Sequence, residues 1–174
     1  RTAVLFPTIT WDSALFEKHV AFTGVFDWID RTIEYFKKHP EYQLIIRAHP
    51  AESLLPGSLR ESVAAYIAHH HPDLTKNILV VPSDMPVSSY RLMDLSQCGL
   101  VYASSTGMEL GVRGVPTLVA GEVHFRRKGF TIDVDNVSTY AWQLDAAMSG
   151  RAPMRTEDII EGARRYAYFS FFRT

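Results

Sequence analysis

The stretch Ser104-Ser105-Thr106-Gly107-Met108-Glu109 sets three hydroxyls and a glycine where an apolar run gives way to a helical pattern. Hydroxyls beside the free N–H groups of a helix start form a cradle for a phosphate, and Gly107 would let the ligand come close to the backbone. The same residues also read as a Thr-x-x-Glu capping box from Thr106 to Glu109, which needs no ligand. Spacing alone leaves both readings open. His49, held by Pro50, can give a hydrogen bond, or a full charge when protonated, to a phosphate oxygen. A lone His before a proline is more often an ordinary loop residue. Arg126 and Lys128, in the cluster Arg126-Arg127-Lys128, would neutralise a leaving nucleotide phosphate or a substrate carboxylate, or else serve only as a solvated basic loop. Asp12, beside Trp11, is placed to act on an acceptor or to cap its own loop. His69, His70 and His71 are consecutive, and consecutive helix residues point in different directions, so they read as a solvated helix end rather than a metal site.

Several chemistries drop away. The chain has no GxGxxG, no Walker loop, no Gly-x-Ser-x-Gly elbow and, between its predicted strands, no DxD for a metal-dependent transferase. Cys98 is the only cysteine, which excludes an internal disulfide framework and a cysteine-built metal site and fits a reducing compartment. The expected location is therefore the cytoplasm, with room for peripheral docking on an export complex at the inner face of the membrane. With a formal net charge of −1 and no basic stripe, duplex nucleic acid is not an expected partner. Hydrophobic residues make up 47% of the 174 residues and charged residues 21%, the balance of an ordinary globular domain.

The elements that must position these residues follow from hydrophobic periodicity. Strand-length apolar runs alternate with helical stretches, which predicts a parallel sheet with helices on both faces, a Rossmann-like α/β domain spanning 1–174. The predicted strands are Ala3–Phe6, Gln43–Ala48, Ile78–Val81, Leu100–Ala103 and Thr117–Ala120, with a short sixth near Thr131. The predicted helices are Trp28–Lys38 capped by Asp27, Leu59–His70, Val87–Leu95, Gly107–Arg113 stopped by a left-handed Gly114, Val137–Met148 and Glu157–Phe172. In such a sheet ligands bind beyond the carboxyl ends of the strands. Thr8, Thr10, Trp11 and Asp12 follow strand one, His49 follows strand two, and Ser83 and Asp84 follow strand three. The Ser104–Thr106 group follows strand four, and His124, Arg126 and Lys128 follow strand five, so five polar clusters converge on one edge.

Taken together, IIRAHPAE followed by VYASSTGMELGVRGVPTLVAGEVHFRRKGFT, with the opening VLFPTITWD, resembles the C-terminal domain of GT-B transferases of capsule polysaccharide biosynthesis. The Kdo-type capsule transferases are the most similar by motif, with polysialyltransferases and teichoic-acid glycerophosphotransferases further off. The resemblance implies a nucleotide-sugar donor, CMP-linked, and a glycan acceptor. It implies that His49 with Pro50, and Ser104 and Ser105 with Thr106, face the donor nucleotide, and that Glu109 holds the ribose. It also implies a missing N-terminal acceptor domain, so that the chain is a fragment with little turnover of its own. The aromatic run Tyr166, Tyr168, Phe169, Phe171 and Phe172 would then leave apolar surface exposed. The expected activity is glycosyl transfer by direct displacement without a metal, with His49 and Asp12 as the catalytic candidates. Sugar-nucleotide epimerases share the Ser, Glu and Gly pattern and are the alternative enzyme; a non-catalytic scaffold of polysaccharide export is the alternative of another class.

Overall fold

A computed structural model describes residues 1–9, 18–54 and 62–172. Five strands of four residues or so and one shorter form a single parallel sheet: β1 (Thr2–Phe6), β2 (Gln43–Arg47), β3 (Ile78–Val81), β4 (Cys98–Val101), β5 (Thr117–Val119) and β6 (Ile132–Asp133). Their order is β3-β2-β1-β4-β5-β6, with every neighbouring pair parallel. This is the Rossmann order, in which the chain runs outward from β1 to one edge and then returns to lay β4 against its other side. The expected Rossmann-like α/β fold is thus the observed one.

Alternation along β1 explains why both faces are covered. Ala3 and Leu5 point into one core, with Trp28, Ile29, Ile33 and Phe36 of α1 (Val25–Lys38), Val63 and Ile67 of α2 (Val63–His70), and Tyr140 and Leu144 of α5 (Val137–Ser149). Val4 and Phe6 point into the other. There they meet Leu92 and Met93 of α3 (Ser89–Leu95), Met108 and Leu110 of α4 (Thr106–Val112), and Ala163 of α6 (Thr156–Phe172).

Element ends differ from expectation for local reasons. Helix α1 starts before Asp27, whose carboxylate accepts from the backbone N–H and the hydroxyl of Thr23 at 3.0 and 3.2 Å, so it ties down the preceding turn from within the helix. Helix α2 begins at Val63 because Ser62 caps it, accepting from the Ala65 N–H at 3.1 Å. A 3-10 turn, Pro50–Leu54, follows β2 instead. Strand β4 starts two residues early, at Cys98, because Gly99 is part of the ladder: a Cβ there would stand 2.5 Å from Leu110 of α4. Gly114 does take the left-handed conformation, with φ of 75°. At the end of α6, Tyr168, Phe169, Phe171 and Phe172 are exposed.

A buried hydrogen-bond chain ties α1 to α5. Thr32 donates to the Trp28 carbonyl at 2.7 Å, so the Tyr140 hydroxyl 2.7 Å away donates to Thr32 and in turn accepts from the Trp28 indole at 3.1 Å. Tyr140→Phe removes the acceptor and leaves the indole N–H buried and unpaired, at a cost of about 1–3 kcal/mol. Urea denaturation should show that loss, and an unchanged midpoint would mean the chain of bonds carries no net stability.

Candidate functional site

Because β2 leaves β1 on one side and β4 lies on the other, the connections diverge and open a crevice at the carboxyl end of β1. A cleft of about 280 Å³ lies there. Phe6 and Pro7 form its floor, Arg47, His49 and Pro50 come from the end of β2, Ser89, Tyr90 and Met93 from α3, and Ser104, Thr106 and Glu109 from the start of α4. A larger hollow, about 490 Å³, sits at the opposite edge beside Gln97, Pro116 and Gly150. It borders the amino ends of β4 and β5, whereas ligands of open parallel sheets bind beyond the carboxyl ends, so the smaller cleft is the better candidate.

The structure brings together His49, Ser104, Thr106 and Glu109. The His49 Nδ1 accepts from the Ala51 N–H at 3.1 Å, which leaves Nε2 to carry the proton of the neutral ring. Burial, and after it the nearby positive charge of Arg47, hold the His49 pKa below its ordinary value. His49 is therefore a neutral hydrogen-bond donor through Nε2 near pH 7, rather than the cation considered above.

At the start of α4 the capping-box alternative does not form. Ser105 precedes the helix with helical φ and ψ of −58° and −18° and makes no side-chain cap bond. Instead Ser104 donates to the Thr106 hydroxyl at 2.9 Å and accepts from the Thr106 N–H at 3.3 Å. The Gly107 and Met108 N–H groups go to the carbonyls of Ser104 and Ser105. The helix start thus satisfies most of its own donors, and the Glu109 carboxylate, beside the cleft, has no partner among the described residues. Ser105 is exposed and stands next to the cleft without lining it.

Two expectations need correction. Gly107 does not face a ligand: a Cβ there would meet Phe125 at 2.7 Å and Val101 at 3.1 Å, so its missing side chain lets α4 lie close to the sheet. Arg126 is not a surface cation but is only 4% exposed. Its guanidinium donates to the carbonyls of Val119, Gly121 and Val134 at 2.9, 3.2 and 2.7 Å and to Asp135 at 3.0 Å, which folds the loop after β5 around it. Those donors are not available to a phosphate. Lys128 is exposed on the same loop, away from the cleft. Asp12, with Thr10 and Trp11, lies outside the described residues. His70 and His71 bond to different groups, the Tyr66 carbonyl and Asp30, and among the described residues no group of three or more potential ligands is placed to hold a metal.

Arg47 and Tyr90 are cleft residues that sequence reasoning passed over. For Arg47 a signal existed, a charge at the end of the otherwise continuous Leu44-Ile45-Ile46 run. For Tyr90 there was none, because its place depends on where α3 crosses the sheet.

A cleft at the switch point is general to Rossmann-like sheets, and solved structures with a GT-B-like fold are similar to this chain in fold. The Kdo 2,7 transferase of Thermosulfurimonas dismutans KpsC matches 92% of this chain over 43% of its own length, with 15% identity and a TM-score of 0.54. The wall teichoic acid polymerase TagF matches 98% of this chain over 38% of its own, with 14% identity and a TM-score of 0.52. A structure described as a putative UDP-N-acetylglucosamine 2-epimerase from Listeria monocytogenes matches 100% over 46%, with 12% identity and a TM-score of 0.56. The chain therefore spans less than half the length of these three. No protein-family model and no curated protein matches it. No helix among the described residues is long and apolar enough to cross a membrane.

Two measurements check the site as described. Gly107→Ala gains about 1 kcal/mol of helix propensity but forces a contact that should cost about 1–3 kcal/mol, so the melting temperature should fall; an unchanged melting temperature with lost ligand affinity would return Gly107 to the ligand side. For His49, an NMR titration should place its midpoint below the ordinary value of about 6.5. The folded state favours the neutral ring, so this group's contribution to stability is full above the unfolded pKa and is lost as pH falls through the folded one. A midpoint at or above the ordinary value would contradict the environment described.

Proposed function

We propose that the chain is the donor-binding domain of a glycosyltransferase, which passes a sugar from a nucleotide-activated donor, CMP-linked, to a growing surface polysaccharide. The observation that carries the reading is the cleft at the β1–β4 switch point, with the neutral His49 and the Glu109 carboxylate on its walls. In the proposed reaction the acceptor hydroxyl attacks the anomeric carbon. The bond from that carbon to the phosphate oxygen breaks, the nucleotide leaves with the electron pair, and the acceptor proton passes to a base on the acceptor side.

The site residues divide the work by chemistry. The His49 Nε2–H donates to a phosphate oxygen as negative charge grows on the leaving group, in a half-buried position where such a bond is stronger than in water. Ser104, Ser105 and Thr106 offer hydroxyls to the same phosphate, with Lys128 contributing longer-range attraction. Glu109 accepts from ribose hydroxyls. The displacement calls on no metal. The acceptor glycan would sit against a further domain, in keeping with relatives in fold that are more than twice as long as this chain.

The epimerase fold neighbour supports a second reading, a sugar-nucleotide epimerase on the same scaffold, for which a uridine nucleotide would be the ligand. Calorimetric titration of the chain with CMP, CDP, UDP and GDP separates the two. Selective cytidine-nucleotide binding, weakened about tenfold or more by His49→Ala and less by Ser105→Ala in folded variants, is the expected result, on the scale of a lost charge-assisted hydrogen bond. Uridine preference would favour the epimerase or a UDP-sugar transferase, and the absence of binding by all four would overturn the donor-site reading for this chain.

A further inference from the structure

Arg47 ends β2 on the face toward α3, and its side chain is only 4% exposed. Two of its donors are used on neutral acceptors, the carbonyls of Pro82 and Met85, which brace the loop after β3. Its Nε–H is buried with no partner among the described residues. No ion pair joins it to a carboxylate among the described residues; Asp84 acts on it only as a nearby charge. Buried guanidinium groups ordinarily have an anion against them. Among the described residues Arg47 has none in contact, and among them it is the only lysine or arginine that lines the cleft.

Arg126 is the useful contrast. It too is buried, braces a loop through backbone carbonyls and keeps an unpartnered Nε. It has a carboxylate counterion, Asp135 at 3.0 Å, with Glu122 at 3.8 Å, and it does not border the cleft. A purely structural arginine in this protein is therefore given its anion from within the chain. Arg47 carries its charge to the cleft wall with Asp84 near but no carboxylate paired to it among the described residues, and Glu109, the one acid among them that lines the cleft, forms no ion pair with it. A cation and a carboxylate that share a cleft without meeting suit a ligand with an anionic group at one end and hydroxyls at the other.

We propose that Arg47 is the oxyanion-binding cation of this cleft and holds the phosphoryl group of the ligand, the part first sought in Arg126. The proposal rests on the reading of the cleft as a nucleotide site. The two carbonyls that hold the guanidinium fix its plane in advance, so little side-chain freedom is lost when the phosphate arrives. Asp84 stands on the loop that Arg47 braces, and a bound phosphate would replace it as the dominant negative charge near the guanidinium.

The test is titration of the chain with inorganic pyrophosphate and with CDP and UDP, in the wild type and in Arg47→Gln and Arg47→Lys variants confirmed as folded by their melting curves. Arg47→Gln should weaken pyrophosphate and the nucleotide it accompanies at least tenfold, and Arg47→Lys should recover part of the loss. In the wild type, pyrophosphate should shift the Arg47 Nε–H resonance in NMR spectra, a readout that survives if the variants fail to fold. Equal affinities in wild type and Arg47→Gln, or an Nε–H resonance that stays put while a nucleotide binds, would overturn the role of Arg47 and leave the nucleotide site standing. Failure of the wild type to bind pyrophosphate or any nucleotide would overturn both together.

Discussion

Strand β1 is hydrogen-bonded along both edges, to β2 on one side and to β4 on the other, and the rest of the molecule depends on that double pairing. Parallel neighbours cannot be joined by a tight turn, so each pairing forces a crossover, and the helices of those crossovers cover the two faces of the sheet. Residues of β1 consequently alternate between two cores, and every one past its first is buried. The crevice at its carboxyl end is a by-product of the same constraint. Two connections that leave in opposite directions cannot fill the space between them, and the side chains that face it come from elements remote in sequence.

Close approach of α4 to the sheet completes the wall of that crevice. Gly99 makes room for Leu110, Gly107 for Phe125, and Gly111 for Phe130 and Ala163, so one short helix is seated by absent side chains on three sides. Seating the helix this tightly also draws its first donors into its own turn, and the hydroxyls of Ser104 and Thr106 bond to each other. The wall is built mainly by packing, and what it turns to the cleft is a carboxylate and two hydroxyls. The loop after β5 follows the same logic in electrostatic form: a guanidinium is buried, and the chain wraps around it to satisfy it.

Periodicity made the sheet legible before any coordinates, because apolar runs of strand length separated by amphipathic helices admit few arrangements. His49, Ser104, Thr106 and Glu109 were legible as a group for the same reason: each follows a strand, and strand ends converge. The failures share a cause. A glycine beside hydroxyls and an arginine in a polar loop look the same in sequence whether they meet a ligand or their own chain. Gly107 and Arg126 meet their own chain, through Phe125 and through the carbonyls of Val119 and Val134, and those contacts depend on how the loop after β5 returns. Arg47 was passed over in the opposite way, as the last charge of a strand read for its apolar run Leu44-Ile45-Ile46. Likewise, Gly99 looked like a lead-in to β4, and only the depth at which Leu110 enters shows that it belongs to the ladder.

The central position of β1 also bears on how the chain assembles during synthesis. Ala3 is made before both of its neighbours in the sheet, Leu44 and Cys98. When synthesis has passed β3 but not reached β4, the segment holds β1, β2 and β3, a half-sheet whose innermost strand has an open edge. That edge is apolar and unpaired until β4 emerges, and such edges invite pairing with other chains. Non-local parallel pairing is also slow. The strand that organises the finished molecule thus keeps an open edge until β4 is made, and substitutions in β4 that delay its docking should appear first as poor yield of soluble protein.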